Sequence, residues 1–188
     1  MSLEKRNSLT LRNIKETYAK ILLDKEPDKI TVTEICEKAD VSRSTFYSNY
    51  QDEADLLEKL MDELIDTSMS ILDRLSPNED NESIVEDFLT YVQDNTVLFK
   101  PFFLNAEHRQ FKTRMLKVIS DKIYALSGRD CPEVPSYYDE MFRLYTISGG
   151  FVSVILWVKR GFDIDKHECA KHITEYTRNA IITSKQLN

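Results

Sequence analysis

The chain has 188 residues and a mass of 22.0 kDa, enough to bury a core and to hold one small module plus one larger helical domain. Its formal charge of −7 excludes a surface that coats nucleic acid indiscriminately, but it leaves room for a local basic patch. Residues 1–50 carry nine Lys/Arg against eight Asp/Glu, whereas residues 51–188 carry sixteen against twenty-four.

Only four Gly and five Pro occur, no stretch alternates with period two, and apolar residues recur at helical spacing, so an all-α fold of about nine helices is expected. Leu11, Ile14, Tyr18, Ile21 and Leu22 form the apolar stripe of a first helix capped by Thr10. Its outer face carries Arg12 and Lys15, and Lys5 and Arg6 precede it as a basic leader that can approach phosphate or the minor groove. The cluster Lys25-Glu26-Pro27-Asp28 then ends the helix.

Residues 31–50 read TVTEICEKADVSRSTFYSNY, two short helices separated by a turn. Thr31 and Glu34 have the spacing of a capping box, and Val32, Ile35 and Ala39 share one helical face. After the turn Ala39-Asp40-Val41, Ser42 caps a second short helix in which Phe46 points inward with Val41. Arg43, Ser44, Tyr47 and Ser48 are left on the outside, and Tyr50 packs within. Such a donor-rich face suits a DNA groove.

From Asp52 to about Leu75 one long amphipathic helix follows, able to join two modules and to transmit a tilt to the preceding helices. Ser76 to Asn81 is a polar loop. Ile84, Phe88, Tyr91 and Val92 mark a further helix, Val97 to Leu104 is aromatic and interrupted by Pro101, and Phe111, Met115, Ile119 and Ile123 mark another helix ended by Gly128. Cys131-Pro132-Glu133-Val134-Pro135 is a connecting loop. Two long helices close the chain, from about Tyr137 to Arg160 with Gly161 as its terminating glycine, and from Asp165 to about Ser184.

The run from Leu144 to Val158 is apolar nearly all round yet too short to span a bilayer. It needs cover on more than one side. The last helix, with small residues on its stripe, supplies part of that cover, so a homodimer through Val152, Ile155, Ile173, Thr177, Ala180 and Ile181 is expected. Cys36, Cys131 and Cys169 are scattered and odd in number, as in a reducing compartment, and no leader is read at the amino end. A cytoplasmic protein with no membrane partner is expected.

His167-x-Cys169-x-x-His172 places two metal-ligand types on one helical face, but no second cluster completes a site, so no metal is expected. No nucleophile elbow or phosphate-binding glycine loop occurs, so neither an enzyme nor a cofactor is expected. Within the larger domain, Tyr91, Phe103, His108, Phe111, Phe142, Tyr145 and Trp157 are the candidate ligand-binding residues, because aromatic walls with polar tips can border a small-molecule cavity. The alternative for each is ordinary core packing.

The segment V-S-R-S-T-F-Y-S-N-Y with the acidic start of the next helix resembles the TetR family of transcription regulators over roughly the first third of the chain. Gly149-Gly150, Trp157 with Gly161, and Tyr91, Asn95 and Phe99-Lys100 resemble the effector domain of the subset that includes dihydroxyacetone-kinase regulators. The resemblance implies a helix-turn-helix domain over 1–50, a connecting helix over 52–75, and a regulatory and dimerisation domain over 76–188. It also implies operator DNA as partner, a small-molecule effector, and repression by default with activation open. By the same resemblance Arg43 reads bases, Thr33, Ser42, Ser44, Tyr47, Ser48 and Asn49 approach bases or phosphates, and Tyr47 holds phosphate.

Three residues depart from the family pattern. Asp40 and Glu26 stand where glycines are usual and ask for backbone strain, and Glu53 replaces a lysine that touches phosphate. A dimeric interaction protein with weak or lost DNA binding is therefore the alternative reading.

Overall fold

The computed structural model describes residues 3–77, 79–105, 108–126 and 136–186. Among these are nine α-helices and no strand. The chain divides into two compact units, one of residues up to Leu64 together with Asn95–Arg109, the other of Ile65–Asp94 and the residues from Gln110 onward.

The first unit opens with α1 (Leu3–Leu22), whose Ile14, Tyr18, Ile21 and Leu22 are buried as their spacing requires. The helix starts two turns before Thr10, which is an interior residue rather than a cap. Nothing between Leu3 and Leu9 is a glycine or proline that would stop it. Pro27 opens a single 3₁₀ turn, Pro27–Lys29. The preceding Glu26 sits at φ −69°, ψ 146°, extended backbone that any residue adopts, so the strain expected there is absent.

Helix α2 (Val32–Ala39) begins where the Thr31 hydroxyl accepts from the Glu34 N–H at 3.2 Å. Only this half of the expected capping box has that form. The Glu34 carboxylate accepts from Lys25 at 2.8 Å and pairs with Lys38 at 3.0 Å, and these two bonds hold its pKa below the usual carboxylate value. Helix α3 (Arg43–Tyr47) follows, then α4 (Glu53–Leu72), one continuous helix that leaves the first unit after Leu64 and enters the second at Ile65.

Helix α5 (Glu82–Asp94) belongs to the second unit, and α6 (Thr96–Leu104) returns to the first. The sequence groups α6 with residues 76–188, but it packs on α1 and buries Leu98, Phe99, Phe102 and Phe103. Pro101 does not interrupt it. A nine-residue helix that forfeits one backbone hydrogen bond at Pro101 still gains the burial of three phenylalanines, each worth roughly 1.5–3 kcal/mol.

In the second unit α7 (Arg109–Leu126), α8 (Tyr137–Lys159) and α9 (Lys166–Gln186) join α5. Gly128 and the segment Cys131–Pro135 lie outside the described residues. Ser136 and Asp139 form a reciprocal capping box at the start of α8. At its end the Phe162 N–H donates to Trp157 O at 3.0 Å and the Gly161 N–H to Val158 O at 3.1 Å, with Gly161 at φ 72°. This paired ending places the Phe162 ring 4.7 Å from the Trp157 ring, and the Trp157 indole N–H donates to Ile164 O at 2.9 Å. By length and composition alone α8 could cross a bilayer. It reaches 23 residues because Tyr137–Arg143, with Asp139, Glu140 and Arg143, extend the uncharged run.

Helix α9 packs on α5 and α8. Lys166 Nζ donates to Thr90 Oγ1 at 2.9 Å, and the His167 ring lies between Glu86 (Nδ1, 3.0 Å) and Glu82 (Nε2, 3.4 Å). The Glu86 hydrogen bond and then the Glu82 charge raise the His167 pKa above 6.5. A raised folded-state pKa gives stability that is complete below about 6.5 and is lost as pH rises through the folded value. The thermal midpoint is therefore expected to fall as pH rises from about 6.5 to about 8, and His167→Gln should flatten that slope in differential scanning fluorimetry across the same buffers.

Candidate functional site

The α2–α3 turn depends on one left-handed residue. Asp40 sits at φ 52°, ψ 49°, its N–H donates to Glu37 O at 3.4 Å, and the Val41 N–H donates to Cys36 O at 3.0 Å. This is the same paired ending that glycine gives α8, achieved here with a residue type that tolerates the conformation. Asn13 Nδ2 donates to Ala39 O at 2.7 Å and ties α1 to the end of α2. Ser42 then caps α3, its hydroxyl accepting from the Thr45 N–H at 3.0 Å.

Phe46 is fully buried and Tyr50 nearly so, their ring centroids 5.4 Å apart, and together they seat α3 on the unit. Burial, then the charges of Glu63 and Asp55, push the Tyr50 phenol up to about 12, so it is neutral at any working pH. On the opposite side Ser42, Arg43, Ser44, Tyr47 and Ser48 are exposed, Tyr47 at 56%. Arg43 Nη2 donates to Thr33 Oγ1 at 2.6 Å, which holds the guanidinium against α2 and leaves its other N–H groups outward.

Two of the expected contact residues also make hydrogen bonds back onto α3. Asn49 is half-buried and its amide donates to Thr45 O at 2.9 Å, while the Ser48 hydroxyl donates to Ser44 O at 2.8 Å. Lys59 was not legible as part of this face, because it lies twelve residues beyond Tyr47 on another helix. Its Nζ donates to Asn49 O at 3.0 Å, pairs with Asp55 at 2.9 Å and lies 5.5 Å from the Tyr50 ring centroid, an exposed cation at the carboxyl end of α3. Lys15 similarly pairs with Glu63 at 2.7 Å and fastens α1 to α4.

The second unit holds a cavity of about 280 Å³ lined from α5, α7, α8, α9 and the loop after α4. Phe88, Ile123, Ile147, Phe151 and Val154 supply apolar wall. None of the seven residues expected to bind ligand lines it. Phe103 and His108 are buried in the first unit, where His108 packs 5.4 Å from Phe102. Phe111 is fully buried, Tyr91 is half-buried, and Trp157 uses its N–H to close the end of α8. Phe142 and Tyr145 instead line an open groove of about 1080 Å³ along α8 and α9, which shares Thr146, Gly150, Ile173 and Thr177 with the cavity. The polar groups that line the cavity are instead Ser76, Glu79, Asn81, Lys122, Thr146, Thr174, Thr177 and Arg178.

The expected interface residues also divide. Val152 is exposed, Ile155 and Ala180 are half-buried, Ile173 and Thr177 line both the cavity and the open groove, Ala180 lines the groove and Ile181 the cavity. His167, Cys169 and His172 do not converge, since Cys169 is buried while His172 packs 5.6 Å from Tyr176. No three metal-ligating side chains come together among the described residues.

These elements define a class, a helix-turn-helix unit joined through one continuous helix to a larger helical unit with a partly open cavity. The chain belongs to the TetR family of transcriptional regulators: over half of it, residues 79–179, matches the family's transcriptional regulator C-terminal region. Its relatives are regulators, not enzymes. The fold is similar to the dihydroxyacetone kinase operon activator DhaS, with a TM-score of 0.60 and 15% identity over 93% of this chain and 97% of that one. A tetR-family transcriptional regulator from Streptomyces coelicolor gives 0.65 and 14% over 100% and 85%. FadR from Bacillus subtilis, solved in complex with stearoyl-CoA, gives 0.59 and 16% over 88% and 96%. At these identities the likeness is one of fold, and no curated sequence matches the chain.

Because Asp40 occupies a position that glycine fills without strain, Asp40→Gly is expected to raise stability in urea unfolding by roughly 0.5–1 kcal/mol, and Asp40→Ala to lower it.

Proposed function

We propose that this regulator binds operator DNA in the cytoplasm as a homodimer through residues 1–50 and releases or reorients it when a small effector occupies the second unit. The observation that carries the reading is the α3 surface, where Arg43, Ser44, Tyr47 and Ser48 are exposed above a buried Phe46 and Tyr50. A guanidinium already steadied by Thr33 has little rotamer freedom left to lose when it forks onto guanine O6 and N7. In this reading Thr33 positions Arg43, Tyr47 and Ser44 reach the groove or its phosphates, Ser42 serves mainly as a cap, and Asn49 braces α3. Glu53 is half-buried in the first turn of α4, and Lys59 supplies a cation on the same helix one and a half turns on.

For self-association the supporting feature is a stripe along α8. Tyr138, Met141, Tyr145, Gly149, Val152 and Leu156 recur at three- and four-residue spacing and are all exposed, Tyr145 at 76%. Gly149 has open space where a Cβ would stand. A glycine inside an exposed helix costs about 1 kcal/mol relative to alanine, a cost that a closely approaching second helix would offset. Two copies related by a twofold axis would present two α3 helices to half-sites about one DNA turn apart.

Selection from random duplexes at moderate salt tests the reading. An enriched pseudo-palindrome is expected, with Arg43→Ala losing about 1–3 kcal/mol of its binding and most of its preference at one base position. No enrichment even at low salt, where phosphate contacts are strongest, would contradict DNA reading and favour an interaction protein. In sedimentation velocity the native chain is expected as a dimer and Val152→Glu as a folded monomer with unchanged circular dichroism.

A further inference from the structure

The cavity of the second unit carries a chemical signature of its occupant. Thr146, on α8, is only 6% exposed, and its Oγ1 has no hydrogen-bond partner among the described residues. The Oγ1 of Thr174, on α9, is likewise buried and unpartnered. Both residues line the cavity. A buried hydroxyl without a partner is uncommon in a folded protein, and two in one apolar cavity mark a place where a polar group is received.

One turn beyond Thr174, on the same face of α9, Arg178 also lines the cavity and has no ion-pair or hydrogen-bond partner among the described residues. The other lining cation, Lys122, is occupied, its Nζ donating to Asp73 O at 2.8 Å with the Asp73 carboxylate at 3.7 Å. Two buried hydroxyl donors and one exposed, unpaired guanidinium, in a mostly apolar lining that also includes Glu79, match a planar, singly charged acceptor on an apolar tail. The volume of about 280 Å³ admits on the order of ten non-hydrogen atoms, taking water's share of roughly 30 Å³ as the measure.

We infer that the effector is a small amphipathic carboxylate, its tail among Phe88, Ile123, Phe151 and Val154 and its carboxylate received by Thr146, Thr174 and Arg178. This inference rests on the effector-responsive reading above but concerns which molecule the cavity takes.

Octanoate, kept below its micellar concentration, is the probe, with 1-octanol below its solubility limit as its uncharged counterpart, each titrated calorimetrically into the full chain. Octanoate should bind at least about tenfold more tightly than 1-octanol. Arg178→Gln should bring octanoate down to the affinity of 1-octanol. Thr146→Val removes the unpartnered hydroxyl at nearly constant shape, so it should raise the thermal midpoint of the free protein while weakening octanoate several-fold. A role confined to packing would move the midpoint alone.

Equal binding of 1-octanol, unchanged octanoate binding in both variants, or no binding to the folded native chain would overturn the assignment. Duplex selection needs no effector, so an enriched operator without octanoate binding overturns the carboxylate assignment and leaves DNA reading intact. Octanoate binding that depends on Arg178 and Thr146, in a protein that enriches no duplex, supports the assignment and overturns the regulator reading.

Discussion

The geometry of the α3 surface depends on a single backbone conformation. With Asp40 left-handed, the chain reverses in three residues, α3 starts at Ser42, and Arg43 emerges where Thr33 can hold it. An extended residue at the same place would carry α3 away from α2 and separate that pair. Asn13 secures the arrangement from α1 by taking the Ala39 carbonyl, one of the groups a helix end leaves unpaired. The strain at Asp40 is small because a short polar side chain accepts the left-handed region, and it is local because the two hydrogen bonds of the helix ending hold it in place.

Much of the fold was legible because its signals are local. The stripes of α1, α4 and α5, the caps at Thr31 and Ser42, and the glycine after α8 depend on residues within a few positions of one another. The parts that could not be read depend on partners far away in the chain. Pro101 looks like a breaker until α6 is seen to bury its phenylalanines against α1, which also moves residues 95–109 into the first unit. Thr10 resembles a cap, and only the continuation of α1 to Leu3 makes it an interior residue.

The candidate site shows the same division. Arg43, Tyr47 and Phe46 could be sorted outward or inward by helical phase alone. Lys59 could not, because its place beside α3 comes from the packing of α4. In the second unit the aromatics drew attention by size, yet size mostly serves the core. Trp157 spends its polar tip on Ile164, and Phe103 and His108 belong to the first unit. The cavity is marked by Thr146 and Thr174, residues that no sequence pattern distinguishes from the many threonines that hydrogen-bond to their own helix.

Helices α8 and α9 serve two surfaces at once. The inward side of α8 contributes Thr146, Ile147 and Phe151 to the cavity wall, and its outer side bears the stripe from Tyr138 to Leu156. Under the proposed self-association both sides of this nearly all-round apolar helix are accounted for, the inner by the cavity wall and the outer by a second copy. The central claim remains that α3 is the surface presented to DNA. Its most direct test is amide chemical-shift mapping of isotopically labelled protein as duplex is added at low salt. Perturbations centred on Thr33, Ser42 to Ser44, Tyr47 and Ser48 are predicted, whereas a folded protein whose shifts move elsewhere, or do not move, would contradict the account.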